Sequence, residues 1–126
     1  MLVAPKKGVM ARMTQKDREF IDALTLNTVK GRVKWEPTAR SNELTASFKG
    51  EYNISVQELE GTYFFVMKNR EDRILLEFLS EPGKYIQQSA EWWDRERLKA
   101  LFDEARRSAF SVDRAIDDIM SEFPPA

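Results

Sequence analysis

Cysteine and histidine are both absent from this chain of 126 residues. Their absence removes thiol catalysis, a Ser-His-Asp triad, disulfides and the usual zinc ligand sets, and it fits a reducing compartment. Long apolar runs are also missing. No segment approaches the ~20 apolar residues of a spanning helix, and the start "MLVAPKKGVMARM" lacks the apolar core of a signal peptide. The cytoplasm is the expected location, with no membrane partner. Nor does one sign of charge dominate: 20 basic residues face 21 acidic ones. Overall charge therefore gives no reason to expect nucleic acid as a partner. The glycines fall singly, and neither a P-loop, a dinucleotide fingerprint, EF-hand spacing nor an H-E-x-x-H pattern occurs. No metal, cofactor or catalytic group is expected from these residues.

What is present describes a folded α+β domain. A hydrophobic fraction of 42% excludes wholesale disorder, and the length suits one modest core. Residues 1–13 carry Lys6, Lys7 and Arg12 without an acid, and read as a solvated basic arm ahead of one domain over 14–126. Thr14 is a good N-cap with Asp17 three residues on, a capping-box pattern. Phe20, Ile21, Leu24 and Thr28 then share one helical face until Gly31 stops it.

From Gly31 the period changes to two. Val33 and Trp35 alternate with charged residues before Pro37 ends that strand. Leu44, Ala46 and Phe48 alternate next, then Tyr52, Ile54 and Val56 after the turn at Gly50. "TYFFVMK" and "RILLEFL" flank the polar "NRED" turn. Such short connections require antiparallel neighbours, giving a five-stranded meander. The last two strands are apolar on both faces: Phe64, Val66, Leu75 and Leu79 oppose Tyr63, Phe65, Ile74, Leu76 and Phe78. Strands of that kind are covered on two sides, by helices or by a second copy of the chain.

A helical region occupies the rest. Leu98, Leu101, Phe102, Ala105, Ala109, Val112, Ile116, Ile119, Met120 and Phe123 fall within one sector of a helical wheel. An unbroken helix over 95–123 would be about 43 Å long, against a radius of gyration near ~14 Å for a globule this size. A break at Ser111 is favoured, with Ser111 as N-cap and Asp113 in the first turn.

The pair Trp92-Trp93 is placed by the same wheel. A helix starting at Ser89 would put Asp94 on the apolar stripe, so Asp94 is expected as N-cap instead. Trp93 then becomes a hydrophobic staple over Leu98. Trp92 packs with Tyr85 and Ile86 under the preceding loop, or stands exposed as a contact, since tryptophan is enriched at interfaces.

Other constellations have plain readings. Asp113, Asp117, Asp118 and Glu122 form a solvated acidic face with Arg114 paired to Asp118, and the sharper reading is a metal site or an acid/base pair at Asp113 and Asp117. Asp103 and Arg107 have salt-bridge spacing. Arg40-Ser41-Asn42 is a polar loop that could meet an anion. Tyr52, Tyr63 and Phe65 could stack bases on a sheet, but the strands lack clustered lysine and arginine.

Thr28, Gly31, Val33 and Trp35, with Ala105-Arg106-Arg107 and the tail from Val112 to Ile119, carry a resemblance. The chain resembles small uncharacterised bacterial or phage proteins that run helix, antiparallel meander, C-terminal helix. The resemblance implies a bacterial or phage cytosolic protein and transfers no activity or site residue.

The functional expectation is a non-enzymatic interaction or regulatory module that self-associates, in the simplest case as a homodimer. It rests on more apolar surface than a small two-layer domain can cover internally, with the two-sided apolar strands or the long C-terminal row as the contact surface. The candidate contact residues are Trp92, Tyr85, Phe64, Val66, Leu75, Leu79 and Phe110. The alternatives are a metal-dependent hydrolase using carboxylates and arginines, and a binder of a nucleotide-like ligand in bacterial defence or counter-defence.

Overall fold

The computed structural model describes residues 12–83 and 85–125. The expectation of a solvated arm over residues 1–11 lies outside them. Met13, assigned to that arm, is instead buried at 2% exposure and belongs to the core.

Helix α1 (Gln15–Val29) begins as the capping pattern requires. The Thr14 hydroxyl accepts from the Asp17 amide at 3.1 Å, and the Asp17 carboxylate accepts from the Thr14 amide at 2.9 Å. Ile21, Leu24 and Thr28 are its buried residues. Five antiparallel strands follow in sequential order: β1 (Glu36–Pro37), β2 (Glu43–Phe48), β3 (Tyr52–Leu59), β4 (Thr62–Lys68) and β5 (Ile74–Ser80). The first strand is shorter and later than the alternation implies. Val33 and Trp35 are buried, but only Glu36 and Pro37 join the ladder. The indole N–H of Trp35 donates to the Thr28 hydroxyl at 3.0 Å, so this segment is fixed to α1 rather than to a neighbouring strand.

Register sorts the sheet into two faces. Val56, Phe65 and Phe78 are aligned across β3, β4 and β5 and are all buried. Above them lie the helices: Phe20 of α1 meets Phe65 edge-on at 6.4 Å. Phe102 of α2 (Ala90–Ala109) meets Tyr63 at 5.9 Å. Gln57, Phe64 and Leu79 align on the opposite face, with Ser55, Val66 and Glu77 beside them. No described helix packs there. The two-sided cover expected for β4 and β5 is thus half supplied: Phe64, Val66 and Leu79 are half-buried, and β2 and β3 finish that face with a polar lattice of Thr45, Ser47 and Asn53.

Leu75 does not belong with those three. Met67 pairs with Leu76 and Lys68 with Ile74, so a bulge leaves Leu75 unpaired and turns it out of the alternation. The β3–β4 turn runs through Glu60 and Gly61, both at positive φ, the geometry that a two-residue hairpin favours. A Cβ on Gly61 would meet Pro82 at 3.3 Å, so this glycine also lets the loop after β5 pack against the turn, and the Gly61 carbonyl accepts from Arg95 of α2 at 2.8 Å.

The helical region does break. Helix α2 ends at Ala109 and α3 (Val112–Met120) starts after Phe110 and Ser111. The break is not made by a serine cap. Ser111 takes the left-handed conformation, at φ 51°, and its side chain makes no capping bond. Arg107 and Asp113 pair across the bend. That contact also replaces the expected Asp103–Arg107 bridge.

Candidate functional site

The start of α2 overturns the expected cap. Ser89 is the N-cap, accepting from the Trp92 amide at 3.2 Å, and Asp94 lies within the helix on its buried face. Asp94 does lie on the apolar stripe of the helical wheel, because its charge is compensated there. Arg18 of α1 grips both carboxylate oxygens, at 2.9 and 3.1 Å, and Arg97 adds a bond at 3.0 Å. Asp94 itself is 3% exposed in its side chain. A buried carboxylate survives only with such partners. The carboxylate hydrogen bond raises the Arg18 guanidinium above its ordinary range, against the opposing effect of burial. Arg95 completes the seat by donating to the Ser80 and Gly61 carbonyls and lying 5.0 Å over the Tyr63 ring. Burial, reinforced by Asp103, raises the Tyr63 phenol above its usual value.

Trp93 is consequently no staple. It is 50% exposed and stacks edge-on against the half-buried Trp92 at 4.7 Å. Tyr85 packs against the core, with its hydroxyl buried and without a hydrogen-bond partner among the described residues. Phe110 is exposed and lines a small hollow of about 160 Å³ with Leu44, Phe102 and Arg106. Tyr63 and Phe65 lie under the helices, so they offer no stacking platform for bases. The candidate contact residues are therefore scattered: Phe64, Val66 and Leu79 on the open sheet face, Trp92 and Tyr85 near the start of α2, Phe110 at its end.

Two larger apolar features stand out instead. The first is a cleft of about 660 Å³, walled by Phe20 of α1 and floored by Phe48, Tyr52, Ile54, Met67, Leu75 and Leu76. The bulge brings Leu75 to this floor beside Leu76. Lys16 and Lys49 stand at the rim with Asp17. Asp17 is engaged in the helix cap, whereas no ion pair is recorded for either lysine among the described residues.

The second feature is α3. Val112, Ile116, Ile119 and Met120 repeat at helical spacing, and Phe123 extends the row, yet no residue of α3 is buried. Asp113 and Asp117 border the row on one side, Asp118 and Glu122 on the other. These acids do not converge. Among the described residues, no three potential ligands gather into a group that could hold a metal ion.

Sequence reasoning had the C-terminal row as a contact surface but missed the cleft. The available signal was the length of the strands: the inner row continues through Met67 and Leu76, beyond the positions that the two helices cover. No described helix is long and apolar enough to cross a membrane. No protein-family model matches the chain, and no curated protein or solved structure is significantly similar to it.

Proposed function

We propose that this protein is a non-enzymatic protein-interaction module that self-associates through the apolar row of α3. The observation that carries the reading is an amphipathic helix whose apolar side faces solvent from Ile116 through Met120 and on to Phe123. Isolated exposed leucines need no explanation, but a contiguous row rimmed by charge marks a contact surface. The acidic borders favour a protein over a lipid surface, because helices that lie on membranes carry lysine and arginine on their polar side. Lack of cysteine supports a cytoplasmic setting, and the resemblance to small bacterial or phage proteins supports that origin.

Sedimentation equilibrium across concentration tests the reading. The wild-type chain is expected to be dimeric at high concentration, and a variant with Ile116→Asp and Ile119→Asp is expected to stay monomeric. A wild-type chain that is monomeric at every concentration would overturn it.

A further inference from the structure

The inner residues of β4 point to a missing helix. Tyr63, Phe65 and Met67 follow one another on one face, spaced about 7 Å apart along the strand. Phe102 of α2 covers Tyr63 and Phe20 of α1 covers Phe65. Met67 opens into the cleft. The two helices cross the strands side by side: α1 runs from Phe65 toward Trp35, and α2 from Gly61 toward Leu44. Packed helices lie about 8–10 Å apart, so the cleft is the next position in that row.

We propose that this position receives α3 of a second copy of the chain, and that two copies exchange α3 helices about a twofold axis. The proposal rests on the self-association reading above and names the surface that α3 meets. Size agrees first. The nine residues of α3 are about 14 Å long. The cleft floor takes residues from β2, β3, β4 and β5, and three strand spacings are also about 14 Å. Chemistry agrees next. The floor is aliphatic and aromatic like the α3 row, and the lysines at the rim match the acids that border that row. Asp117, Asp118 and Glu122 have no recorded ion-pair partner among the described residues, like Lys16 and Lys49.

The chain's own α3 is poorly placed to fill the cleft. Phe110 adjoins Leu44 at the start of β2, whereas the cleft lies beyond Phe48 at its end. The two-residue link and the Arg107–Asp113 pair hold α3 close to α2. Reciprocal exchange satisfies both apolar surfaces and closes the assembly, whereas one-way insertion would grow filaments.

The test compares the wild type and four variants by sedimentation equilibrium, with circular dichroism confirming that each is folded. Leu75 is exposed, so Leu75→Glu blocks the cleft with little demand on the core. Ile119→Asp blocks the helix. Each is expected to weaken homodimerisation about tenfold or more, and mixing the two is expected to restore a heterodimer through its one intact contact. Lys16→Glu with Lys49→Asp is expected to weaken the dimer about two- to fivefold, with recovery when Asp117→Lys and Asp118→Lys are added to the same chain. A dimer lost in Ile119→Asp but unchanged in Leu75→Glu overturns the exchange and leaves the self-association reading standing. In that case α3 meets another surface, and the cleft is empty or takes a small apolar molecule. A wild-type monomer overturns both.

Discussion

Helices α2 and α3 carry one apolar row in nearly continuous phase, yet they have opposite fates. Leu98, Leu101, Phe102 and Ala105 of α2 are buried, whereas α3 buries nothing. The difference lies outside the row itself. Arg95 ties α2 to the carbonyls of Ser80 and Gly61, Asp94 ties it to Arg18 of α1, and Arg97 ties it to Asp22 of α1. Among the described residues, helix α3 has the ion pair across the bend and a short packing edge against α2. An amphipathic pattern says that a face is made to be covered. Polar anchors decide whether the cover comes from the same chain.

Leu101→Ala is expected to produce the largest loss. Leu101 is fully buried between sheet and helices, and removing such a side chain costs about 3–4 kcal/mol through lost transfer energy and a cavity. Urea denaturation measures it, and a loss under about 1 kcal/mol would mean that α2 is seated no better than α3. Arg18→Met comes next. It leaves Asp94 buried with Arg97 alone, at an expected cost of about 2–3 kcal/mol. Adding Asp94→Leu should recover most of that loss, because the cost is an unpaired charge rather than a missing attraction. If the double variant is no better than the single, the anchor works by packing and the account of α2 changes.

Trp35→Phe should cost about 1–2 kcal/mol by removing the indole donor to Thr28. It tests whether the segment before β1 depends on α1, as the geometry requires. Tyr63, beneath α2, offers a pH probe. Burial raises its folded-state pKa above the ordinary 10.0. The unfolded phenol therefore loses its proton first as pH rises. The stability from keeping Tyr63 protonated is fully present below about pH 10, and it is lost as pH climbs through the folded value. Tyrosinate absorbance followed against pH should show one phenol titrating late, absent in Tyr63→Phe. A Tyr63→Phe chain that loses an early phenol and no late one would place Tyr63 in water and α2 off the sheet.

The helices, strands and turns were largely legible because their signals are local. The Thr14–Asp17 box, the alternation at Leu44-Ala46-Phe48 and the hairpin turns each sit within a few residues of what they specify. The site was less legible because its decisive contacts are remote. Asp94 could be placed on the buried face from the wheel, but its partner Arg18 lies 76 residues away, so a burial that looked forbidden was already compensated. The bulge at Leu75 depends on the register with β4, and one strand cannot announce it. The cleft is a property of how far two helices reach across four strands, which no single segment encodes.

The smallest expected effect sharpens the contrast most. Ile119→Ser removes an apolar side chain from the same row as Leu101, but from the part that faces water in the single chain. In dilute solution, where the chain is monomeric, its unfolding free energy should change by no more than about 0.5 kcal/mol. At concentrations that favour the dimer, the wild type gains stability by mass action, because only the folded chain presents α3 to a partner. Ile119→Ser should lose that gain, so the two midpoints separate as concentration rises. Curves that stay superimposed at every concentration would mean that α3 contributes neither to the fold nor to association. A gap already present in dilute solution would mean instead that α3 is held by its own chain, and the distinction between the two helices would disappear.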